Sequence, residues 1–549
     1  MLKPSGILAG LLVLVLFAIL AGSTSWWLQR NELPDGFQNE YEHSYTLTEV
    51  FFRLRDVGWQ DAQGPLWSGY YPPLEHVVAS IGMAIGGRSH RVAVLSLSVF
   101  LLLLLGSAAA LGRGLRDAST GAFAAGLLAS YPSVFGNARR YEPNIALAAL
   151  VAAALALLIL RGGLPRRRVA LAFGLLCGLG MLADRLVFAA YLLPAVALCL
   201  FALRSELSPA AAVRRWSLAA LAALAVCGAF YVRFFRLHVW EVWTQLGGEV
   251  NAAGADSQAL PPWTPTGLLY YPLSFLDSQM GLVSFAVTVA GLLLWGLRGR
   301  STVDVPRRRL LEATAFGGLL LLTLIAKKQP FYSIPLLMPL TILAALGWRA
   351  LPSTGLRRAI VTLLVIGGVH QLTFLTRGEG LFPTPGRWAW FAGVSPLPPD
   401  LLGTGYTQAW APREQRIDLD RAVALCAAER APDRPHVMLF SDAHAVYEGQ
   451  LLPAARLGLD TLLVDGVTML PEAVADHHAA AACFLYVTDT ALDWPTAASI
   501  QAQWDRRGLG AVPPATLRAV DSLGNRARLL AAWPGEPEGR VRVFGFDRR

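Results

Sequence analysis

Long apolar stretches recur along the first 376 residues of this 549-residue chain, and they constrain its fold more than any other feature. An α-helix needs roughly 20 residues to cross the hydrocarbon core of a bilayer. The mean hydropathy of +0.45 and the hydrophobic content of 54% exceed what soluble domains show. The sequence therefore predicts a polytopic α-helical membrane protein with about eleven transmembrane helices, near residues 6–28, 89–112, 119–136, 143–160, 169–184, 186–203, 216–235, 271–297, 310–326, 331–348 and 358–375.

The loops between these stretches alternate in arginine content. Every second loop is rich in arginine, as at Arg113 and Arg116, at 166–168 and at 298–309, and the intervening loops contain fewer. Cytoplasmic loops of membrane proteins carry an excess of basic residues. The pattern predicts a cytoplasmic N-terminus and an extracytoplasmic C-terminal part. The expected location is a bacterial inner membrane. The arginine pattern also accounts for the net charge of +9, so nucleic-acid binding is not expected. A cleaved signal peptide is the alternative interpretation of the first stretch.

The composition changes after the last apolar stretch. Residues 377–412 are rich in proline, glycine and tryptophan, which is typical of a linker. Beyond it, short apolar runs alternate with helical patterns, which predicts a small, mostly parallel α/β domain at 413–549 on the extracytoplasmic side. The predicted organisation is a transmembrane domain at 1–376 with a first outer loop at 29–88, then the linker and this domain. Strands are expected at 436–442, 461–466, 483–489, 529–533 and 541–546, with helices near 443–458, 471–482 and 494–507.

The polar residues near the predicted membrane surface are concentrated on the outer side. Ionisable groups at this depth are costly to bury, and they usually face a cavity or one another. A pocket containing both carboxylates and cations suits a reaction in which a carboxylate activates a hydroxyl or amine while cations hold a phosphate leaving group. The candidates are Glu40, Glu42 and His43 in the first outer loop, Arg139, Arg140 and Glu142 in the second, Asp184 and Arg185 in the third, and Lys327, Lys328 and Tyr332 in the last.

Lysine is rare in this chain, and its positions are informative. It occurs only at Lys3, Lys327 and Lys328, and the other basic residues among the 47 are arginines. The adjacent pair lies at an outer helix end, where snorkelling of the side chains is one interpretation. Binding of a phosphate group is the other.

Four motifs, in order and on the same predicted side of the membrane, resemble those of the GT-C superfamily of membrane glycosyltransferases. The similar branch includes the protein O-mannosyltransferases and the lipid A aminoarabinose transferase. The motifs are N-E-Y-E-H (39–43), Y-P-P-L (71–74), R-R-Y-E-P (139–143) and K-Q-P-F-Y-S-I-P-L-L-M-P (328–339), and the resemblance covers about residues 1–350.

The resemblance implies an inverting transfer of a sugar from a polyprenyl-phosphate donor to a glycan, lipid or protein acceptor at the outer face of the membrane. Family members carry an Asp-Glu pair in the first loop, where this chain has Asn39 and Glu40. The catalytic base is therefore expected at Glu40 or Glu42. Glu142 matches the second acidic position of the family, and capping of a helix is its alternative role. Lys327 and Lys328 resemble the positions that hold the lipid phosphate, to which Tyr332, Arg139 and Arg140 could contribute.

No cofactor is implied by the sequence. The five cysteines lack metal-ligand spacing. A divalent metal held by His43, Glu75 and His76 is an alternative without a recognised ligand motif. As alternatives to the transferase, the chain could be a polytopic transporter or lipid-handling protein, or a catalytically inactive scaffold of the same fold. The absence of an evident internal repeat argues against a transporter.

Overall fold

A computed structural model describes most of the predicted membrane part and five strands of the C-terminal part. The described residues are 4–30, 72–87, 90–184, 187–201, 208–247, 258–259, 262–325, 327–377, 381, 425, 428, 436–441, 460–463, 481–488, 514, 527–535 and 539–546.

Each of the eleven predicted apolar stretches coincides with helix in the structure. Within the described ranges, seven helices are long and apolar enough to cross a membrane, and three further apolar helices are shorter. The prediction of a polytopic α-helical membrane protein is confirmed. The helices are α1 (Pro4–Arg30), α2 (Leu74–Gly86), α3 (His90–Ser96), α4 (Ser98–Leu115), α5 (Ala118–Ala129), α6 (Pro132–Asn137), α7 (Asn144–Arg161), α8 (Arg167–Asp184), α9 (Val187–Phe201), α10 (Pro209–Gly247), α11 (Pro265–Ser274), α12 (Leu282–Leu294), α13 (Val305–Glu312), α14 (Gly318–Leu324), α15 (Ile334–Arg349) and α16 (Thr354–Arg377).

Short segments of other helical geometry lie between some of these helices. Single π-helical turns follow α11, α12 and α13, and 3₁₀ turns precede α13 and α15. Such turns alter the helical register and often lie next to functional sites. The π turns are Phe275–Gln279, Trp295–Gly299 and Ala313–Gly317, and the 3₁₀ turns are Arg300–Thr302 and Pro330–Ser333.

Helix α15 lies at the centre of the bundle. Every side chain from Ile334 to Trp348 is buried, and the helix packs against α5, α7 and α12. Its sequence, I-P-L-L-M-P-L-T-I-L-A-A-L-G-W, is apolar on all sides, as expected for a helix without a polar surface.

Small residues allow α12 and α15 to approach each other closely. A methyl group added at Gly347 would collide with the carbonyl oxygen of Gly291, and one added at Gly291 would meet Ala344. Contacts between small residues are a principal source of helix association in membranes, where burial of apolar surface provides little driving force. Glycine at these positions therefore sets the distance between the two helices.

The C-terminal part contains five strands, β3 (His436–Ser441), β4 (Asp460–Leu463), β5 (Ala481–Thr488), β6 (Ala527–Gly535) and β7 (Gly539–Phe546). They form one sheet in the order β4-β3-β5-β7-β6. Strands β3, β4 and β5 are parallel, whereas β7 pairs antiparallel with both β5 and β6. The five strands confirm the expected ones, but the sheet is mixed rather than mostly parallel. Strand β6 ends at Gly535 and β7 begins at Gly539, so the connection between them is too short for a parallel crossover, which needs a dozen or more residues. The two strands therefore pair antiparallel, and the sheet is mixed. The helices expected between the strands lie outside the described residues, except that positions 481 and 482 of the expected helix 471–482 belong to β5.

Two compact units divide the chain. One comprises Met1–Trp27, Arg53–Ala79 and Val94–Pro412, and the described residues of the candidate site belong to it. The other comprises Leu28–Phe52, Ser80–Ala93 and Arg413–Arg549, and it contains the five-stranded sheet. A two-stranded pairing of β1 (Gln258–Ala259) with β2 (Lys327–Lys328) belongs to the first unit.

Candidate functional site

The turn between α6 and α7 buries an ion pair. Arg140 and Glu142 are each only 4% exposed, and Nη1 of Arg140 lies 3.7 Å from Oε1 of Glu142. Nδ2 of Asn144 donates a hydrogen bond of 2.6 Å to Oε2 of Glu142. Both carboxylate oxygens thus have a positively polarised neighbour. The arrangement fixes the Glu142 carboxylate beside the Arg140 guanidinium.

Arg139 makes different contacts from its neighbour. Its Nη1 donates to the carbonyl oxygen of Leu375 (2.8 Å), and its Nη2 donates to Oγ1 of Thr376 (2.5 Å). The guanidinium also lies 5.4 Å from the ring centre of Trp27 and 5.2 Å from that of Phe135. These contacts join α6 to the end of α16 and to α1. Arg139 therefore holds these elements together, and its contribution to phosphate binding stays a prediction.

The first turn of α2 places two further ionisable groups at this site. The Pro-Pro sequence before Leu74 favours the start of a helix, and Glu75 suits its positive N-terminal end. Glu75 and His76 are buried, and their carboxylate and Nε2 atoms lie 3.7 Å apart. Nδ1 of His76 shares a hydrogen bond of 2.9 Å with the hydroxyl of Tyr141. The turn before α7 and the start of α2 are therefore in direct contact.

The pKa of the Glu75 carboxyl is strongly perturbed. Burial raises the pKa of Glu75 to about 8, His76 opposes the rise, and the nearby Asp184 adds to it. Two carboxyl groups that are close together do not both ionise easily in a buried environment. Burial therefore favours the protonated form of Glu75 more than it would for an exposed glutamate.

A series of tyrosines connects Asp184, at the end of α8, to Lys328. Asp184 lies close enough to Tyr191 for their charges to interact. The Tyr191 hydroxyl donates a hydrogen bond of 2.5 Å to the carbonyl oxygen of Tyr332. The Lys328 ammonium lies 5.5 Å from the ring centre of Tyr271, which interacts in turn with Tyr191 and Tyr332. The carboxyl groups and the lysine thus belong to one polar region, which we call the polar end.

Lys328 is held at the C-terminus of α14. Its Nζ donates to the carbonyl oxygens of Leu322 (3.0 Å) and Thr323 (2.6 Å). An ammonium group has three N–H donors, so two are used for capping and one is left for another acceptor. Burial lowers the pKa of Lys328 to about 8. At pH 7 the side chain is charged, and its charge is also favoured by the helix dipole.

Gln279 makes hydrogen bonds to three elements next to the polar end. It is fully buried in the π turn after α11, and its Oε1 accepts from Ser333 (2.9 Å) while its Nε2 donates to Ser274 (3.1 Å). Its carbonyl oxygen accepts from Ser133 (2.9 Å). The side chain of Gln279 thereby connects α11 to the 3₁₀ turn that follows Lys328, and its backbone carbonyl adds a contact to α6.

The structure brings together several of the residues predicted from the sequence and leaves others undescribed. The polar end contains Arg140, Glu142, Lys328 and Tyr332, together with Glu75 and His76, which the sequence suggested only as metal ligands. Glu40, Glu42 and His43 lie outside the described residues, as does the side chain of Lys327. Within the described part of the chain, no group of three or more His, Cys, Asp or Glu side chains could hold a metal ion.

Sequence reasoning missed the roles of Tyr141, Tyr191 and Gln279. Tyr141 was visible within the R-R-Y-E-P motif between two candidate residues, and that position was a usable signal. Tyr191 and Gln279 lie within or next to apolar helices and have no such local signal. Their contacts depend on packing between helices that are distant in sequence.

Comparison with solved structures identifies the fold class: the chain has the GT-C glycosyltransferase fold. It is similar to ArnT from Cupriavidus metallidurans in the apo state, with a TM-score of 0.58, 14% identity and coverage of 97% of each chain. The same protein bound to undecaprenyl phosphate gives a TM-score of 0.57 and 16% identity, again over 97% of each chain. The arabinofuranosyltransferase AftD from Mycobacteria matches with a TM-score of 0.50 and 12% identity, over 98% of this chain and 40% of AftD.

The likeness is one of structure rather than sequence. No protein-family profile matches this chain. A sequence search of curated proteins also finds no match.

Proposed function

We propose that this protein transfers a sugar from a polyprenyl-phosphate donor to an acceptor at the extracytoplasmic face of the membrane, with inversion at the anomeric carbon. The observation that carries the proposal is a buried set of cations and carboxyls at one end of a bundle with the GT-C fold. The structural likeness to ArnT supports this class of donor, because one of the similar ArnT structures is bound to undecaprenyl phosphate.

The reaction requires charge neutralisation on one side of the sugar and a base on the other. The acceptor oxygen or nitrogen attacks the anomeric carbon as the bond from that carbon to the phosphate oxygen breaks. Polyprenyl phosphate leaves with the bonding electrons, and the acceptor proton passes to a carboxylate. Fixed cations at the phosphate stabilise the negative charge that develops on it.

We assign binding of the donor phosphate to the cations of the polar end. Lys328 retains one N–H donor beyond the two that cap α14, and Arg140 is fixed beside Glu142. Lys327 is adjacent to Lys328, and Tyr332 adds a hydroxyl. The base is assigned to Glu40 or Glu42 of the first outer loop, and Glu142 orients Arg140. A carboxylate that orients a phosphate-binding arginine need not contact the sugar itself.

The arrangement of the chain in the cell follows from the arginine pattern. The N-terminus is assigned to the cytoplasm of a bacterial cell, and the polar end, the linker 377–412 and the domain 413–549 are assigned to the extracytoplasmic side. The acceptor is a glycan, a lipid or a protein on that side.

The proposal is tested by transfer of label from undecaprenyl-phosphate sugars in membranes that contain the protein. Donors with radiolabelled arabinose, mannose, glucose and galactose are supplied to wild type and to Glu40→Gln, Glu42→Gln and Lys328→Met. We expect one donor to label an acceptor in wild type, and Lys328→Met to reduce the rate roughly tenfold or more, the loss typical for a hydrogen bond to a charged group. One of the two glutamate variants should lose activity almost completely.

A second measurement does not depend on the acceptor. Binding of undecaprenyl phosphate to the purified protein is compared between wild type, Lys328→Met and the control Arg167→Met, which removes an exposed charge at the start of α8. Lys328→Met should bind more weakly at a temperature where every protein is folded, while Arg167→Met binds like wild type. The melting temperature of Lys328→Met should fall, because this variant also loses the two hydrogen bonds that cap α14. Equal binding by all three proteins would remove Lys328 from the site.

A further inference from the structure

A groove lies at the end of the bundle opposite the polar end, where α5, α15 and α16 meet. Its volume is about 540 Å³. The apolar part of its lining includes Phe123, Trp348, Ile360 and Val361, and its cationic part includes Arg357 and Arg358. A groove lined by apolar side chains and bordered by arginines matches a molecule with an apolar chain and an anionic head.

The direction of the helices places this groove at a membrane boundary. Helix α15 runs from the polar end, at Ile334, to Arg349 beside the groove, and its 16 residues span about 24 Å. Helix α16 begins at Thr354 in the groove and returns to the polar end at Arg377. The groove is therefore separated from the polar end by most of the thickness of a bilayer.

The charges around the groove do not cancel. Arg349 is paired with Asp117, whose carboxylate lies 2.7 Å from its Nη2. Burial would raise the pKa of Asp117, but hydrogen bonds from Arg349, Ser119 and Thr120 hold it well below its ordinary value. In contrast, no carboxylate among the described residues forms an ion pair with Arg357 or Arg358, and the lining contains no acidic residue. The groove thus has two uncompensated guanidinium groups.

We propose that this groove binds one anionic glycerophospholipid. The phosphodiester lies against Arg357 and Arg358, whose planar guanidinium groups suit paired hydrogen bonds to phosphate oxygens. One acyl chain lies along Phe123, Trp348 and Val361. The volume suits a head group and the upper part of one chain, because pockets for small ligands range from about 300 to 1,000 Å³. A zwitterionic lipid would place its ammonium group beside cations, with no acid to receive it.

The test uses the full-length purified protein and measures retained lipid by native mass spectrometry. Phosphatidylglycerol, phosphatidylcholine, undecaprenyl phosphate and inorganic phosphate are supplied at equal concentration. We expect phosphatidylglycerol to be retained more strongly than phosphatidylcholine and inorganic phosphate. Undecaprenyl phosphate is also expected to bind at the polar end, so it counts against the proposal only if its retention falls when Arg357 and Arg358 are both replaced by Gln. Equal retention of phosphatidylcholine or binding of inorganic phosphate alone would overturn the proposal as well.

Two pairs of variants locate the site. Arg357→Gln with Arg358→Gln should weaken retention of phosphatidylglycerol roughly tenfold, because each basic residue near a lipid surface contributes to anion binding. The control, Arg167→Gln with Arg168→Gln, makes the same charge change at an exposed pair outside the groove. Retention that falls equally in both double variants would overturn the proposal.

The second pair tests the apolar part of the groove while leaving its charges in place. Val361→Trp fills the space beside α16, and Val365→Trp adds the same side chain one turn further along, outside the groove and also at an exposed position. Val361→Trp should reduce retention of phosphatidylglycerol several-fold, and Val365→Trp should not. Unchanged retention in Val361→Trp would show that the acyl chain does not occupy the groove.

Discussion

Buried charges at the polar end are each compensated by a specific neighbour. The carboxylate of Glu142 contacts Arg140 and Asn144, and the ammonium group of Lys328 contacts two carbonyl oxygens. A buried charge that loses its partner is strongly destabilising, whereas replacing the whole pair by apolar groups can be neutral. Single and paired substitutions at these residues therefore separate a structural role from a role in binding.

The ion pair of Arg140 and Glu142 gives the first prediction. Glu142→Leu should destabilise the folded protein by about 3 kcal/mol, because it leaves the Arg140 guanidinium without its carboxylate. The double variant Arg140→Met with Glu142→Leu should recover most of that loss. The measurement is unfolding in mixed detergent micelles with increasing dodecyl sulfate, followed by tryptophan fluorescence.

Binding of undecaprenyl phosphate supplies the control for these single and double variants. If Arg140 binds the donor phosphate, the double variant stays folded but binds undecaprenyl phosphate more weakly than wild type. A double variant that is as unstable as Glu142→Leu would instead indicate that the two side chains do not act as a pair.

Lys328 gives a prediction about pH. Burial lowers the pKa of its ammonium group to about 8, so the group is charged below that pH and loses its proton above it. If the charge holds the donor phosphodiester, which stays anionic throughout, the dissociation constant should rise about tenfold between pH 7 and pH 9, since each pH unit above the pKa reduces the charged fraction about tenfold. Binding of an undecaprenyl-phosphate sugar over this range is the measurement.

Lys328→Arg is the matched variant, because arginine stays charged over the whole range. Its binding should be nearly constant from pH 7 to pH 9, provided that its melting temperature matches that of wild type. The same rise in the dissociation constant in both proteins would assign the pH dependence to another group.

At the scale of single elements, α15 and its glycine contacts determine how the bundle is packed. Gly347→Ala should lower stability by about 1–3 kcal/mol, the usual cost of adding a methyl group where there is no space. The collision with the carbonyl oxygen of Gly291 involves backbone, which cannot move without displacing α12. Thermal unfolding of the purified protein measures the effect.

Gly126→Ala is the matched control for this substitution. It lies within α5, and a methyl group there would meet no atom within 4 Å. Because alanine is also the better helix former, the melting temperature should stay the same or rise. An equal loss of stability in both variants would mean that the spacing of α12 and α15 is not the cause.

At the scale of the whole molecule, the orientation in the membrane can be measured with single cysteines. In a variant whose five cysteines are replaced by alanine, Trp263→Cys and Arg167→Cys each introduce one thiol at an exposed position. A membrane-impermeant maleimide should label Trp263→Cys in spheroplasts, and should label Arg167→Cys only after the membrane is opened. The reverse result would place the polar end in the cytoplasm.

Much of the architecture could be predicted from the sequence, because apolar stretches and their flanking arginines are local signals. The eleven stretches coincide with helices, and the five strands lie where short apolar runs predicted them. Arg140, Glu142 and Lys328 were also found as members of short motifs. The pairing of β7 with β5 and the contacts of Gln279 could not be found in this way, because they join residues that are far apart in sequence.

The contacts of Arg139 have a consequence for the order in which the protein is made. Its aromatic neighbours, Trp27 and Phe135, precede it in the chain and are synthesised first. The hydrogen-bond acceptors at Leu375 and Thr376 are synthesised more than 230 residues later. Until α16 is synthesised, the Arg139 guanidinium therefore has its aromatic neighbours but neither of these acceptors. A chain that ends before α16 leaves the two donors of Arg139 without the partners that they have in the complete fold.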